Sequence, residues 1–208
     1  GSVRAVLMGR DLIDGPFGVI NAVNFYQKES FELLYEHLQK LQDSDYSSVN
    51  VCFRLANVLA KSAGVTRGIC EVDENGYLIS VTDRLGVERV GGIPMFPNEV
   101  HKWEQLDENS FVSMNMWGFM PSIFDQMQVA FDHFLDDYGK DMKAHYSIPT
   151  FMNNQIEKGM KVKVVETPAR WMGLVSHDDK IQVVLRINEM MRKGVYPSKL
   201  FEVNDKDI

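Results

Sequence analysis

The residues most able to do chemistry are few and scattered. Two cysteines, Cys52 and Cys70, each sit in an apolar, strand-like run with no neighbour at redox-motif or zinc spacing, which reads as two buried thiols. Of five histidines, only His133 has an acidic residue four positions on, Asp137, and on a helix that pair more simply forms a solvated face than a metal site. Lys161 and Lys163 alternate with valines and face either phosphate or solvent on a strand edge. Asn115 lies between two methionines in FVSMNMWGF, so its amide needs a partner wherever the strand is buried. Trp117 and Trp171 read as core. The glycine pair Gly91-Gly92 lacks the strand-to-helix context of a phosphate-binding loop. No residue presents itself as a nucleophile or general base.

The elements that must position these groups alternate in period. Val3, Val6 and Leu7 recur at helical spacing before a stop at Asp14-Gly15-Pro16, as if the chain opened inside a helix. Phe17 to Ala22 is a short apolar run expected as a buried strand, and Phe31, Leu33, Leu34, Leu38 and Leu41 mark an amphipathic helix after it. Residues 48–53 are rich in β-branched and aromatic types, and a short helical stretch should follow to Gly64. Asp73-Glu74-Asn75-Gly76 between two apolar runs signals a hairpin. Residues 85–106 show two consecutive glycines, two prolines and no period, and are expected as a surface loop or flap. Beyond it come a core strand at 111–119, a helix opened by Pro121, helices over 149–158 and 178–193, and an alternating strand at 161–166.

With 208 residues, 45% of them hydrophobic, the chain has material for one globular core. The predicted fold is α/β: a Rossmann-like three-layer sandwich with a mixed, mostly parallel sheet plus a β-hairpin, one domain over residues 1–208. Twenty-nine acidic against 22 basic residues leave a net charge of −7, which argues against nucleic acid or an anionic membrane as partner. No apolar run approaches the ~20 residues of a membrane helix, and a cytoplasmic setting is expected. Ligands of such sheets bind beyond the carboxyl ends of the strands, here the loop after Ala22, the start of the hairpin and the loop after Phe119.

Several segments resemble the bacterial sugar-phosphate nucleotidyltransferase family: PFGVINAVNFYQKESF, GVTRGICEVDENGYLISVTDR, VSMNMWGF, and RWMGLVSHDDK followed by GVYP. They span nearly the whole chain in the family's order. The resemblance implies transfer of a nucleotidyl group from a nucleoside triphosphate to a sugar 1-phosphate, giving a nucleotide-sugar and pyrophosphate. That chemistry needs an immobilised triphosphate, a divalent ion and an aligned sugar-phosphate oxygen. The family's N-terminal glycine-rich loop has no counterpart here, so the resemblance implies an N-terminally truncated domain. Magnesium is the family's metal, yet its acidic pair is replaced by Val23 and Asn24, leaving Asn24 a degenerate metal position.

The sugar side of the cleft does persist in the resemblance. It assigns Gly68 to the close approach of backbone to sugar, Asp83 and Arg84 to sugar hydroxyls and phosphate, Asn115 to a polar contact in the cleft, and Arg170 to an anion. Each has an ordinary structural explanation as well: relief of crowding for Gly68, a solvated pair for Asp83 and Arg84, a backbone contact for Asn115, plain exposure for Arg170. Three functions follow. The chain is an enzyme lacking a segment, a non-catalytic module that binds sugar phosphate or nucleotide-sugar, or a subunit that pairs with a complete nucleotidyltransferase through the open sheet face as an oligomer.

Overall fold

The protein is described by a computed structural model covering residues 1–59, 64–173, 177–197 and 199. The stretch between Leu59 and Gly64, where the short helix was expected to end, lies outside the described residues, and only a 3₁₀ turn at Leu55–Asn57 precedes it. The chain falls into two compact units. One comprises Gly1–Ala22 with Tyr26–Trp171, the other Val23–Phe25 with Met172–Ile208.

The larger unit is built on one mixed sheet. Its strands are β1 (Phe17–Val19), β3 (Ser48–Arg54), β4 (Val65–Val72), β5 (Leu78–Val90), β6 (Ile93–Pro97), β7 (Trp103–Gln105), β8 (Phe111–Phe119) and β9 (Val162–Glu166). They run in the order β7-β6-β5-β4-β8-β3-β9, with β1 also on β8. Helix α1 (Ser2–Leu7), α3 (Ile123–Tyr138) and α4 (Ile148–Glu157) cover one face, and α2 (Lys28–Lys40) covers the other. The three-layer α/β architecture is therefore present.

The sheet is mostly antiparallel, which corrects the mostly parallel arrangement read from the sequence: among the described residues only β3 and β9 pair in parallel. The cause is β8, which runs against β1, β3 and β4 alike. Strand direction depends on the connections that return the chain to the sheet, which a short local apolar pattern does not report.

Local chemistry explains the elements. The hairpin turn at Asp73–Gly76 forms because Asp73 Oδ1 accepts from the amides of Asn75 (2.9 Å) and Tyr77 (2.7 Å), while Gly76 takes a φ of 78°. Helix α4 starts on Ser147, whose hydroxyl accepts from the Thr150 amide, with Pro149 in the first turn. Helix α3 buries Phe124, Met127 and Phe131 at helical spacing.

Residues 85–106, expected as a flap, are strand over much of their length. The glycine pair is the turn of a second hairpin: Val90 pairs with Ile93, and Gly91 and Gly92 take φ of 59° and 90°. The first hairpin also curls back across the molecule. Val164 N donates to Gly76 O at 3.0 Å and Tyr77 bridges to Lys163, so the sheet wraps around Trp117, Phe119, Cys52, Cys70 and Val162.

The smaller unit holds β2 (Asn24–Phe25) paired antiparallel with β10 (Met172–Gly173), and α5 (His177–Arg192). Phe25 and Tyr196 meet with ring centroids 6.1 Å apart.

Candidate functional site

At residues 117–119, β8 lies between β1 and β3; at 111–113 it lies between β4 and β3. Strands β1 and β4 thus share one edge of β8 and leave Met114, Asn115 and Met116 between them. On the other edge the register jumps from Asn50↔Trp117 to Cys52↔Ser113, so three residues of β8 oppose Val51 alone. Asn115 sits at the crest of this bulge with a φ of 59°, a left-handed conformation that asparagine tolerates better than most residues.

Two buried side chains hold the bulge. Tyr26, 1% exposed, donates its hydroxyl to Met114 O at 2.8 Å and accepts from the Asn21 amide at 3.1 Å. Asn50, fully buried, donates to Ser113 Oγ (3.1 Å) and Met116 O (3.2 Å), and its Oδ1 accepts from Cys52 Sγ at 2.7 Å. Cys52 lies 3.7 Å from Cys70, sulfur to sulfur, and burial pushes its thiol well above the ordinary range, so both cysteines act as packing groups.

Beside the bulge, Gly68 is in register with Ser113 on one side and Asp83 on the other. A methyl group on Gly68 would lie 3.0 Å from Val81 Cγ1, 3.3 Å from Ser113 O and 3.4 Å from Asp83 Oδ1. The glycine therefore makes room for the Asp83 carboxylate, which is exposed, to lie along the strand surface. Arg84 is placed apart from Asp83. Adjacent strand residues point to opposite faces, and the Arg84 guanidinium packs 4.8 Å above the ring of Phe96 on the α2 side of the sheet.

That second face carries a cation absent from the sequence reading. Arg67, 6% exposed, donates to Val58 O (3.1 and 2.6 Å) and Thr66 O (2.8 Å) and lies 4.8 Å above the Trp171 ring. Burial pulls its pKa down to about 10. Trp171 Nε1 is buried without a hydrogen-bond partner. The adjoining Arg170 has an exposed side chain, and its carbonyl accepts from Gln27 Nε2 at 2.6 Å. Ser30 and Thr167 hydroxyls meet at 2.9 Å, so the start of α2 is stitched to the segment after β9. The signal for Arg67 was its place between Val65 and Ile69 on one face of the strand.

The remaining candidates lie elsewhere. Lys161 and Lys163 flank the Tyr77 ring, and Lys161 pairs with Asp45 at 3.2 Å, so neither is held for a phosphate. His133 and Asp137 are exposed on α3. A shallow cavity of about 510 Å³, lined by Leu41, Tyr46, Met120 and Met160 among others, opens at the amino ends of β3 and β9, away from the bulge. Trp117 is fully buried, though its Nε1 lacks a partner. Asn24 belongs to the smaller unit, where it pairs with Gly173. Among the described residues, no three His, Cys, Asp or Glu side chains converge in a way that could hold a metal. A neutral amide at position 24 does not fit the hard-cation site that magnesium requires.

Solved structures share this architecture. The chain superposes on the inositol-1-phosphate CTP transferase of T. maritima with a TM-score of 0.56 and 11% identity, covering 94% of this chain and 64% of that one. It superposes on a structure titled a glucose-1-phosphate thymidylyltransferase of Bacillus anthracis, in complex with a sucrose, with a TM-score of 0.53 and 12% identity, over 97% and 63%. HddC from Yersinia pseudotuberculosis gives 0.50 and 13%, over 90% and 62%. The chain shares the fold of these structures and spans less than two thirds of their length. No family model and no curated protein matches the sequence. No helix among the described residues is long and apolar enough to cross a membrane.

Proposed function

We propose that this chain is a nucleotidyltransferase-like protein carrying the sugar-phosphate side of the reaction in which a nucleoside triphosphate and a sugar 1-phosphate give a nucleotide-sugar and pyrophosphate. The observation that carries this reading is the row Ser113, Gly68, Asp83 beside the Asn115 bulge. Gly68, itself buried, stands in register with the exposed Asp83 carboxylate, and the half-buried Asn115 lies at the bulge of the adjoining strand. Asp83 accepts from sugar hydroxyls, Gly68 lets the ring approach the strand, and Asn115 contributes a neutral polar contact. Arg170 is the exposed cation for a phosphate; Arg84 serves the packing of the opposite face.

In that reaction an oxygen of the sugar phosphate attacks the α-phosphorus and pyrophosphate leaves, so the protein's share is alignment and charge neutralisation. The donor set at Asn24 does not supply the metal that neutralisation calls for, which favours a second reading: a non-catalytic sugar-phosphate or nucleotide-sugar binding or regulatory subunit that does not turn over alone. Calorimetric titration with sugar 1-phosphates and nucleotide-sugars, then with triphosphates plus magnesium, separates the two. Saturable sugar-ligand binding lost in Asp83→Ala supports the site. Magnesium-dependent triphosphate binding with turnover would refute the non-catalytic reading. Binding of neither ligand refutes both.

A further inference from the structure

The far edge of the sheet ends on β7, which pairs only with β6 among the described residues. All three of its residues are exposed, Trp103 among them at 47%. Open edges are usually kept apart by charge or by a covering element. Here the charges stand in a register that favours self-pairing.

The backbone fixes that register. Asn98 N donates to Lys102 O at 2.8 Å and Leu106 N to Pro94 O at 2.9 Å, so Lys102, Glu104 and Leu106 turn their backbone groups inward to β6. Trp103 and Gln105 turn theirs outward. We propose that β7 is the seam of a homodimer in which two copies pair antiparallel about a twofold axis through Trp103, continuing the sheet from one molecule into the next.

In that arrangement Trp103 exchanges both backbone hydrogen bonds with its counterpart and the two indoles form a cross-strand pair. Lys102 stands opposite the partner's Glu104, and the reciprocal pair repeats across the axis, on the sheet face opposite the indoles. Glu104 is already held along the strand by Asn98 Nδ2 at 2.7 Å. Other registers lose these features. A twofold through Glu104 opposes two carboxylates and buries the wrong backbone groups, and one through Gln105 sets Trp103 against Asp107 and Glu104 against Leu106. The exposed side chains near β1, Met8, Leu12 and Ile20, offer no comparable pattern of charge.

Sedimentation equilibrium of the purified chain over a wide concentration range tests this. A concentration-dependent dimer is expected. Lys102→Glu and Glu104→Lys each convert two attractive pairs into two repulsive ones and should weaken dimerisation about tenfold. The combined K102E/E104K variant restores complementary pairs and should return to within about twofold of the parent. Both changed positions are exposed, and far-UV circular dichroism checks that the fold is kept in all three variants. A monomer at every concentration overturns the proposal. So does a dimer indifferent to the single changes, which would place the seam elsewhere, or a double variant no better than the singles.

Discussion

Replacing Tyr26 with phenylalanine isolates what holds the Asn115 bulge. The ring stays in place between Phe31 and Phe53, its centroid 6.1 and 6.3 Å from theirs, so packing is conserved. Only the hydroxyl is lost, and with it the 2.8 Å bond to Met114 O and the 3.1 Å bond from the Asn21 amide. Each bond contributes about 1 kcal/mol net, and more where the group that loses it is buried. With the exchange of solvent partners counted once, the expected loss is about 2–3 kcal/mol. For a chain of this length that lowers Tm by about 5–10 °C. Equilibrium unfolding in urea, followed by circular dichroism, measures it as a lower midpoint at unchanged slope. A loss below about 0.5 kcal/mol would refute the assignment of Tyr26 as the clamp of the bulge. A changed slope would mean that the substitution acts on the denatured chain or breaks two-state unfolding.

Further outcomes follow from other contacts. Gly68→Ala forces a methyl to 3.0 Å from Val81 Cγ1 and against the Asp83 carboxylate, so about 1–3 kcal/mol of stability should go together with sugar-ligand binding, read by urea unfolding and calorimetry. Asp83→Asn should weaken that binding while Arg84→Ala leaves it unmoved, because Arg84 lies over Phe96 on the other face; equal losses in both variants would contradict the division. Arg67 is a base whose folded pKa is depressed, so burying its charge opposes folding at neutral pH. That opposition fades as pH rises through about 10, and the unfolding free energy of the parent should gain on that of Arg67→Met over that interval. Glu166 is held below the usual carboxylate range by its hydrogen bonds to Arg54, so its contribution is present above the unfolded carboxylate pKa and lost as pH falls through the folded one. At this exposure it amounts to about 0–1 kcal/mol, and Glu166→Gln should flatten the acid limb of the stability profile by no more.

Much of the framework was legible because it is local. The hairpin at Asn75-Gly76, the strand at 48–54 and helices α3 and α4 follow from turn chemistry, β-branching and apolar spacing that a few neighbouring residues decide. What failed depended on distant partners. Pro94 and Pro97 hid the alternation of β6, and the two glycines signalled looseness where they form a tight turn. The direction of β8 is a tertiary property. At the candidate site, Gly68 and Asp83 were named as separate contacts and prove to be register neighbours. Arg84 was joined to Asp83 by adjacency in sequence, which in a strand means opposite faces. Arg67 was passed over because a guanidinium is expected outside unless partnered, and its partners are carbonyls.

The closure of the hairpin tip on β9 bears on how the molecule assembles. Lys163 and Asn75, which meet there, are 88 positions apart, whereas the hairpin that presents Asn75 is made of neighbours. The hairpin can form in microseconds, but its docking must wait for the chain to bring β9 back, an entropic cost met by few contacts until the wrap is complete. The Val164 amide, bonded to Gly76 O, is therefore a reporter of the last step. In pulsed hydrogen exchange during refolding it should gain protection after the amides within β4 and β5, marking the moment when an open, twisted sheet becomes a closed wrap around its core.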